Sequence, residues 1–435
     1  MICRMKKIII LFITAMLFAL TSCKDNMTAI SNPDSPEYIA EADKSFEGEM
    51  LALWEGINQS YVFWETDKTD WDAKRDEMIA LGKELDNLQN TGMLEWDNEN
   101  KDLIDKIAAP FIGLIDHHMG ITIVNPYILD EKKRQDEAID VSPAEYEVKT
   151  RPYYHQRIPF TVYLKSFVNV LGSSRYTDLV ATTYKQEDGG KIDIISALID
   201  GCIPYLHMSG YNMDVILKDE GSKGALALTT YYENIKQLKQ SGKLKAVILD
   251  NRGNGGGAVA DLDYVAGLFM ENTEVAMYNR TKNGLGKYDF ANVTSQIVNP
   301  NTSSPYYVGD LGNVPYVVLQ DLYSISMGEM STNFISRMPN AVTVGERTYG
   351  GHGTLFTSNT YEQNGYNGSF NQNRNGHNVY TTNTESELFN KKTNEWGILE
   401  GYGVEPDIEC IVSDATLSGK DDNQLMRALQ YIYQK

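Results

Sequence analysis

Ser326 and a small set of glycines and histidines are the residues whose types and spacing could do chemistry in this chain. The serine lies in Ser324-Ile-Ser-Met-Gly-Glu329. It follows Val314-Pro-Tyr-Val-Val-Leu-Gln320, an apolar, β-branched run of strand length. Apolar residues at 330, 334, 335 and 338 then recur at helical spacing. Strand, tight turn and helix put Ser326 near a helix N-terminus. A serine there can be an N-cap. It can also be a nucleophile, because unpaired N–H groups and the positive end of the helix dipole would face an oxyanion.

Two other stretches could join it. Asn251-Arg-Gly-Asn-Gly-Gly-Gly257 follows the strand-like Lys245-Ala-Val-Ile-Leu-Asp250. It lacks the Gly-Lys-Ser/Thr ending of a P-loop and the spacing of a dinucleotide fingerprint. Glycines there let the backbone approach a ligand and present N–H groups, or simply connect strand to helix. His117 and His118, two of six histidines, sit in Gly113-Leu-Ile-Asp-His-His-Met-Gly120. They read either as a solvated helix end or as a general base on a loop.

Positioning these groups takes more than one small core, and 435 residues suit two folded units plus a leader. With 42% hydrophobic residues the chain is of ordinary globular composition. Its net charge of −20 argues against nucleic acid or an anionic membrane surface as the main partner. Arg4, Lys6 and Lys7 precede the apolar run Ile8 to Leu20, which suits a signal peptide over 1–22. Leu20-Thr-Ser-Cys23 resembles a bacterial lipoprotein box, which implies lipid on Cys23; a plain secretory signal is the alternative. Residues 23–45 read as a lipidated cysteine and tether, with Pro33 and Pro36 in a polar stretch. The distant Cys202 and Cys410 show no metal-ligand spacing. They are either buried thiols or a disulfide.

The fold class expected is α/β (α+β): a helical N-terminal domain over 46–125, then a β/α core with a mixed sheet and crossover helices over 191–435. Phe46, Met50, Leu53, Trp54, Ile57 and Tyr61 recur at helical steps. Further helices are expected from Trp71 and over Glu99–Ala109, where Pro110 breaks the last. Residues 127–150 read as charged and irregular, and 126–190 as a connecting segment. In the core, a hairpin with an Asp200-Gly201 turn joins Lys191–Leu198 to Ile203–Met208. Helices are expected over Ala225–Leu238, Ala258–Glu271 and Asp421–Tyr433. Residues 357–378, rich in Asn and Gly, read as a long exposed loop.

The order of these motifs carries a resemblance. Asp116-His-His118, Ile203-Pro-Tyr-Leu-His-Met208, the glycine loop, Ser326-Met-Gly-Glu329, Gly345-Glu-Arg-Thr-Tyr-Gly350 and Gly403-Val-Glu-Pro-Asp-Ile408 follow in sequence. Together they resemble the C-terminal processing (tail-specific) serine protease family. The resemblance implies that Ser326 is the nucleophile and that N–H groups near Gly256 and at Met327 form the oxyanion hole. One branch of the family has a lysine base after Gly-Glu-x-Thr-x-Gly. Here Gly351 stands at that place, and no lysine occurs between Lys287 and Lys391. The chain is closer to the tricorn-core-like Ser/His branch, whose Asp-x-His pattern makes His118 the base. His352 is the rival base. Glu400 fits the third group best, and Glu405 is second. Met119 departs from the Thr or Ser usual after that histidine. No PDZ carboxylate-binding loop is evident.

The function expected is a lipid-anchored serine endopeptidase of the bacterial cell envelope acting on peptides or proteins, with no metal and no cofactor. The alternative is a non-catalytic peptide-binding lipoprotein on the same fold. The sequence leaves oligomeric state and substrate open.

Overall fold

A computed structural model describes residues 45–284, 286–355 and 378–435. The signal peptide, Cys23 and most of the expected 357–378 loop lie outside the described residues. No helix among the described residues is long and apolar enough to cross a membrane.

The N-terminal unit follows from its caps and periodicity. Ser45, Asp70 and Asn100 cap α1 (Phe46–Ser60), α2 (Trp71–Asn90) and α3 (Lys101–Ala108) with their side-chain oxygens. Phe46, Met50, Leu53 and Ile57 then face Trp71, Met78 and Leu85 in one buried cluster. The aromatics pack there too, with the Tyr61 and Trp64 rings 4.5 Å apart. Pro110 ends α3 through a short 3₁₀ turn. The chain then passes Asp116–His118 into β1 (Gly120–Ile123). Residues 127–150 are more regular than their charge suggested. They hold two short helices, Glu131–Asp136 and Pro143–Val148, around β2 (Ile139–Val141).

The connecting segment likewise belongs to the core. It holds α4 (Phe160–Leu171) and β3 (Tyr176–Lys185). β3 pairs antiparallel with β4 (Lys191–Ile199), so a boundary at 190 falls inside a hairpin. The Asp200-Gly201 turn leads into β5 (Ile203–Met208), with both turn residues at positive φ as such turns require. α5 (Lys223–Gln240) crosses to β6 (Val247–Asp250). The stretch expected as one helix over 258–271 is instead a broken series of short turns, since the chain follows the glycine loop rather than its propensity. β7 (Glu274–Thr281) and β8 (Thr294–Val298) come next. β9 (Tyr316–Gln320), α6 (Met327–Ser336) and β10 (Ala341–Gly345) form the strand–turn–helix–strand unit around the serine. The last strands are β11 (Asn378–Tyr380), β12 (Thr384–Asn390), β13 (Glu395–Ile398) and β14 (Ile408–Glu409). Helix α7 (Asn423–Gln434) closes the described chain.

Seven strands build the central sheet in the order β14-β10-β9-β6-β5-β4-β3. The strands from β5 to β14 run parallel, and β3–β5 form an antiparallel edge. Both faces are covered. α5 and α6 pack Leu228, Tyr231, Met330 and Phe334 on one side. α4 and α7 pack Phe167, Leu425, Leu429 and Ile432 on the other. Burial on both faces explains why β6 and β9 are apolar up to their last residue rather than alternating. A smaller sheet, β11-β1-β2, joins the N-terminal unit to the segment after the serine. Cys202 and Cys410 are free thiols, so they form no disulfide.

Candidate active site

Parallel strands aim their following loops at one edge of a sheet, and the candidate site forms there. β9 delivers the turn 321–326. Asp321 pins it, accepting from the Gly253 N–H at 2.8 Å and the Tyr323 N–H at 2.9 Å. Ser326 ends the turn at φ 57°, ψ −126°, immediately before α6. That is a strained region for a residue with a side chain. Ser326 makes no capping hydrogen bond. The cap role that local sequence favours is therefore not the one the geometry gives it. Its Oγ is left without a hydrogen bond among the described residues.

The glycine loop faces this hydroxyl. A Cβ built on Gly256 would lie 2.8 Å from Ser326 Oγ and 3.1 Å from the Met327 nitrogen, at φ +95°. Only glycine leaves that space open. Met327 is the first residue of α6, so its N–H has no helical carbonyl to meet, and its nitrogen borders the gap. The Gly256 N–H differs from this. It donates to Asn254 Oδ1 at 2.8 Å, so an oxyanion would compete with that bond. Asparagines join Gly253 in locking the loop to the turn and to α6. Asn254 O accepts from the Ile325 N–H at 2.9 Å. Asn251 Nδ2 donates to Ser331 Oγ at 3.0 Å and Thr332 Oγ1 at 2.9 Å on α6. Beneath them Arg252 is fully buried, donating to Asp250 at 2.6 Å and to Asp422, the N-cap of α7, at 2.7 Å. Burial alone would raise the Asp250 carboxyl; Arg252 overrides it and holds it below the usual range.

Two sequence-predicted site residues, His118 and Glu400, meet around Asp116, to which the sequence assigned no role. Asp116, His118 and Glu400 each bring a ligand-type atom within 4.8 Å of the others. Asp116 is saturated. Oδ1 accepts from the His118 N–H and Thr382 Oγ1, both at 2.9 Å, and Oδ2 from Thr381 Oγ1 at 2.7 Å and the Thr382 N–H at 2.8 Å. Glu400 Oε1 accepts from the His117 N–H at 3.0 Å, and Oε2 from the His352 and Gly353 N–H groups at 2.8 and 2.7 Å. Carboxylates so occupied suit holding a histidine better than ligating a cation. Both ring nitrogens of His118 are buried without a partner. Burial pushes the His118 ring down, against the pull of Asp116. Burial also pushes the Glu400 carboxyl well up, with Asp116 adding to it. At rest the imidazole is neutral, the form that accepts a proton.

The rival groups are otherwise engaged. His352 is fully buried, and burial pushes it down to about 3. Its Nε2 lies 3.0 Å from the Ser386 carbonyl, and its Nδ1 faces Glu400 at 3.4 Å. Its Nδ1 makes no hydrogen bond, and burial leaves the ring a weak base. Glu405 pairs with Lys392 and Tyr402 near the surface.

Glu329, quoted in the serine motif but given no role from sequence, is part of the site's frame. It is fully buried and accepts from Thr348 Oγ1, from the Gly350 N–H at 3.0 Å and from the Gly351 N–H at 2.6 Å. Burial raises its carboxyl to about 7. The Gly351 carbonyl in turn accepts the Ser326 N–H at 2.6 Å.

A serine on a left-handed turn at a helix head, facing a glycine loop and flanked by a histidine between carboxylates, defines a hydrolytic α/β core of the serine-peptidase kind. Residues 203–410, just under half the chain, match the model of peptidase family S41. Solved structures share the fold. A candidate peptidase from Parabacteroides merdae aligns over 89% of this chain and 96% of its own, with 19% identity and a TM-score of 0.56. Mature CPAF aligns over 90% of this chain and 98% of its own, with 11% identity and a TM-score of 0.52. CPAF complexed with lactacystin aligns over 90% and 99%, with 11% identity and a TM-score of 0.50. No curated protein matches the sequence. The family match supports a serine peptidase.

Proposed function

We propose that this chain is a serine endopeptidase of the Ser/His type. Ser326 Oγ attacks a peptide carbonyl while its proton passes to a ring nitrogen of His118. The Met327 N–H and the glycine loop meet the developing oxyanion. His118 then gives the proton to the leaving amine, and water hydrolyses the acyl-enzyme by the same route. Asp116 and Glu400 hold the histidine turn through the His118 and His117 N–H groups, and Asp116 offsets the imidazole charge once it is protonated. The observation that carries the reading is the Ser326 backbone: strained, uncapped and aimed at the space that Gly256 leaves open.

The substrates are peptides or proteins, and the enzyme works in the bacterial cell envelope, held by lipid on Cys23. The charged, apolar, then Leu-Thr-Ser-Cys order of the first 23 residues supports this placement. Lactacystin, bound by CPAF of the same fold, is a reasonable probe. The test is labelling by a fluorophosphonate and cleavage of a peptide library. Wild-type protein labels at Ser326; Ser326→Ala and His118→Ala stay folded and do neither. Full activity in both variants sinks the mechanism. A second reading, a non-catalytic peptide-binding lipoprotein, is favoured by the occupied Gly256 N–H. Wild-type protein that binds peptides but never labels would establish it.

A further inference from the structure

The carbonyl of Tyr349 is a junction between three parts of the chain. It accepts from His117 Nδ1 at 2.8 Å and from Arg151 Nη2 at 2.8 Å. A carbonyl only accepts, so His117 Nδ1 carries the hydrogen. Arg151 also donates to the Thr348 carbonyl at 2.7 Å, through a side chain that is almost wholly buried. Glu147 meets its charge at 2.8 Å. From the other side, Glu329 grips the next two N–H groups, and Gly351 then receives the Ser326 N–H. A chain of short bonds therefore runs from the His117 ring to the backbone of the serine. The ring also fills space: a Cβ added at Gly350 would meet His117 Nδ1 at 3.1 Å. His117 stands between Asp116 and His118, so the ring that anchors it also fixes the turn that presents His118.

We infer that His117 and Arg151 are positioning residues that clamp the Tyr349 carbonyl and so lock the histidine turn to the serine turn. His117 acts through its Nδ1 donor and takes no proton from substrate or serine. Arg151 gives the segment between the helical unit and the sheet a part in the site. The inference rests on the Ser326–His118 reading above. Burial supports it, pushing His117 down to about 4 and leaving the ring a fixed neutral donor near neutral pH.

Asparagine is the discriminating substitution. Its amide nitrogen stands about where Nδ1 stands, donates to a carbonyl and cannot titrate. His117→Ala is expected to lower kcat about 100-fold with KM little changed, the cost of about an ångström of misplacement. His117→Asn is expected to restore most of that loss, with the acid limb of the kcat/KM profile in its parental place. Arg151→Lys keeps the charge but cannot bracket two carbonyls at once, and its kcat is expected to fall about tenfold. Circular dichroism and a fluorophosphonate reaction are run on every variant. An active parent with His117→Asn as inert as His117→Ala overturns the inference alone, since the ring itself must then move protons. Full activity in His117→Ala overturns it too. A parent inert to fluorophosphonate overturns the underlying serine-peptidase reading, and this one with it.

Discussion

Replacing Ser326 with glycine is expected to stabilise the fold relative to alanine while abolishing hydrolysis. At φ 57°, ψ −126°, a residue with a Cβ carries strain of about 1–3 kcal/mol. Glycine enters that region nearly free, but it gives the unfolded chain more freedom, normally a cost of about 0.5–1 kcal/mol against alanine. The difference leaves Ser326→Gly ahead of Ser326→Ala by between about zero and 2.5 kcal/mol. The comparison is clean because Oγ makes no hydrogen bond among the described residues that either variant would lose. The Cβ alone separates them, and it is the atom pressed against Gly256. Urea unfolding followed by the fluorescence of the five tryptophans measures both. If alanine is the more stable by the usual margin, Ser326 is not strained. A backbone preset for attack is then ruled out.

Other outcomes follow from the same geometry. Gly256→Ala places a methyl 2.8 Å from Ser326 Oγ at a positive φ; fluorophosphonate labelling is expected to vanish, with about 1–3 kcal/mol lost in urea unfolding. Asp422→Ala leaves the buried Arg252 with one carboxylate, and a loss of about 3–5 kcal/mol is expected, read by the same method. Glu329 titrates near 7 when folded and near 4.5 when unfolded. Its stabilising contribution is therefore whole below the lower value and lost as pH rises through the upper one. Glu329→Gln should flatten that decline, which is on the order of 3 kcal/mol, in stability measured from roughly pH 4 to 7. An unchanged slope would mean that the carboxylate stays charged throughout.

What the sequence revealed was local. The strand, turn and helix around Ser326, the Asp-Gly hairpin and the capped helices of the N-terminal unit are written in periodicity and turn chemistry, and each forms within a residue or two of its expected place. The nearness of His118 to Glu400 was reachable only through motif order, because contacts across hundreds of residues leave no periodic trace. The strain at Ser326 was not legible, since a serine before a helix reads as a cap. The asparagines at 251 and 254 were hidden among glycines that drew the eye. Arg151 and the hairpin strand β3 lie in a stretch of mixed aromatic and charged residues where neither period stands out. The broken turns after the glycine loop overrode a helical propensity that tertiary packing had no room for.

The bond from the His117 N–H to Glu400 joins residues 283 apart, and the serine lies between them in sequence. Contacts of such separation form late, after the segments that flank them have found one another. During synthesis the nucleophile emerges long before Glu400 exists to shape the histidine turn. On the proposed mechanism, a chain stalled part-way through folding thus holds a serine with no working base. On the proposed Ser326–His118 mechanism, the wide spacing would act as a timer, keeping the centre silent while its own unfolded segments are the nearest substrate and releasing it once they are packed away.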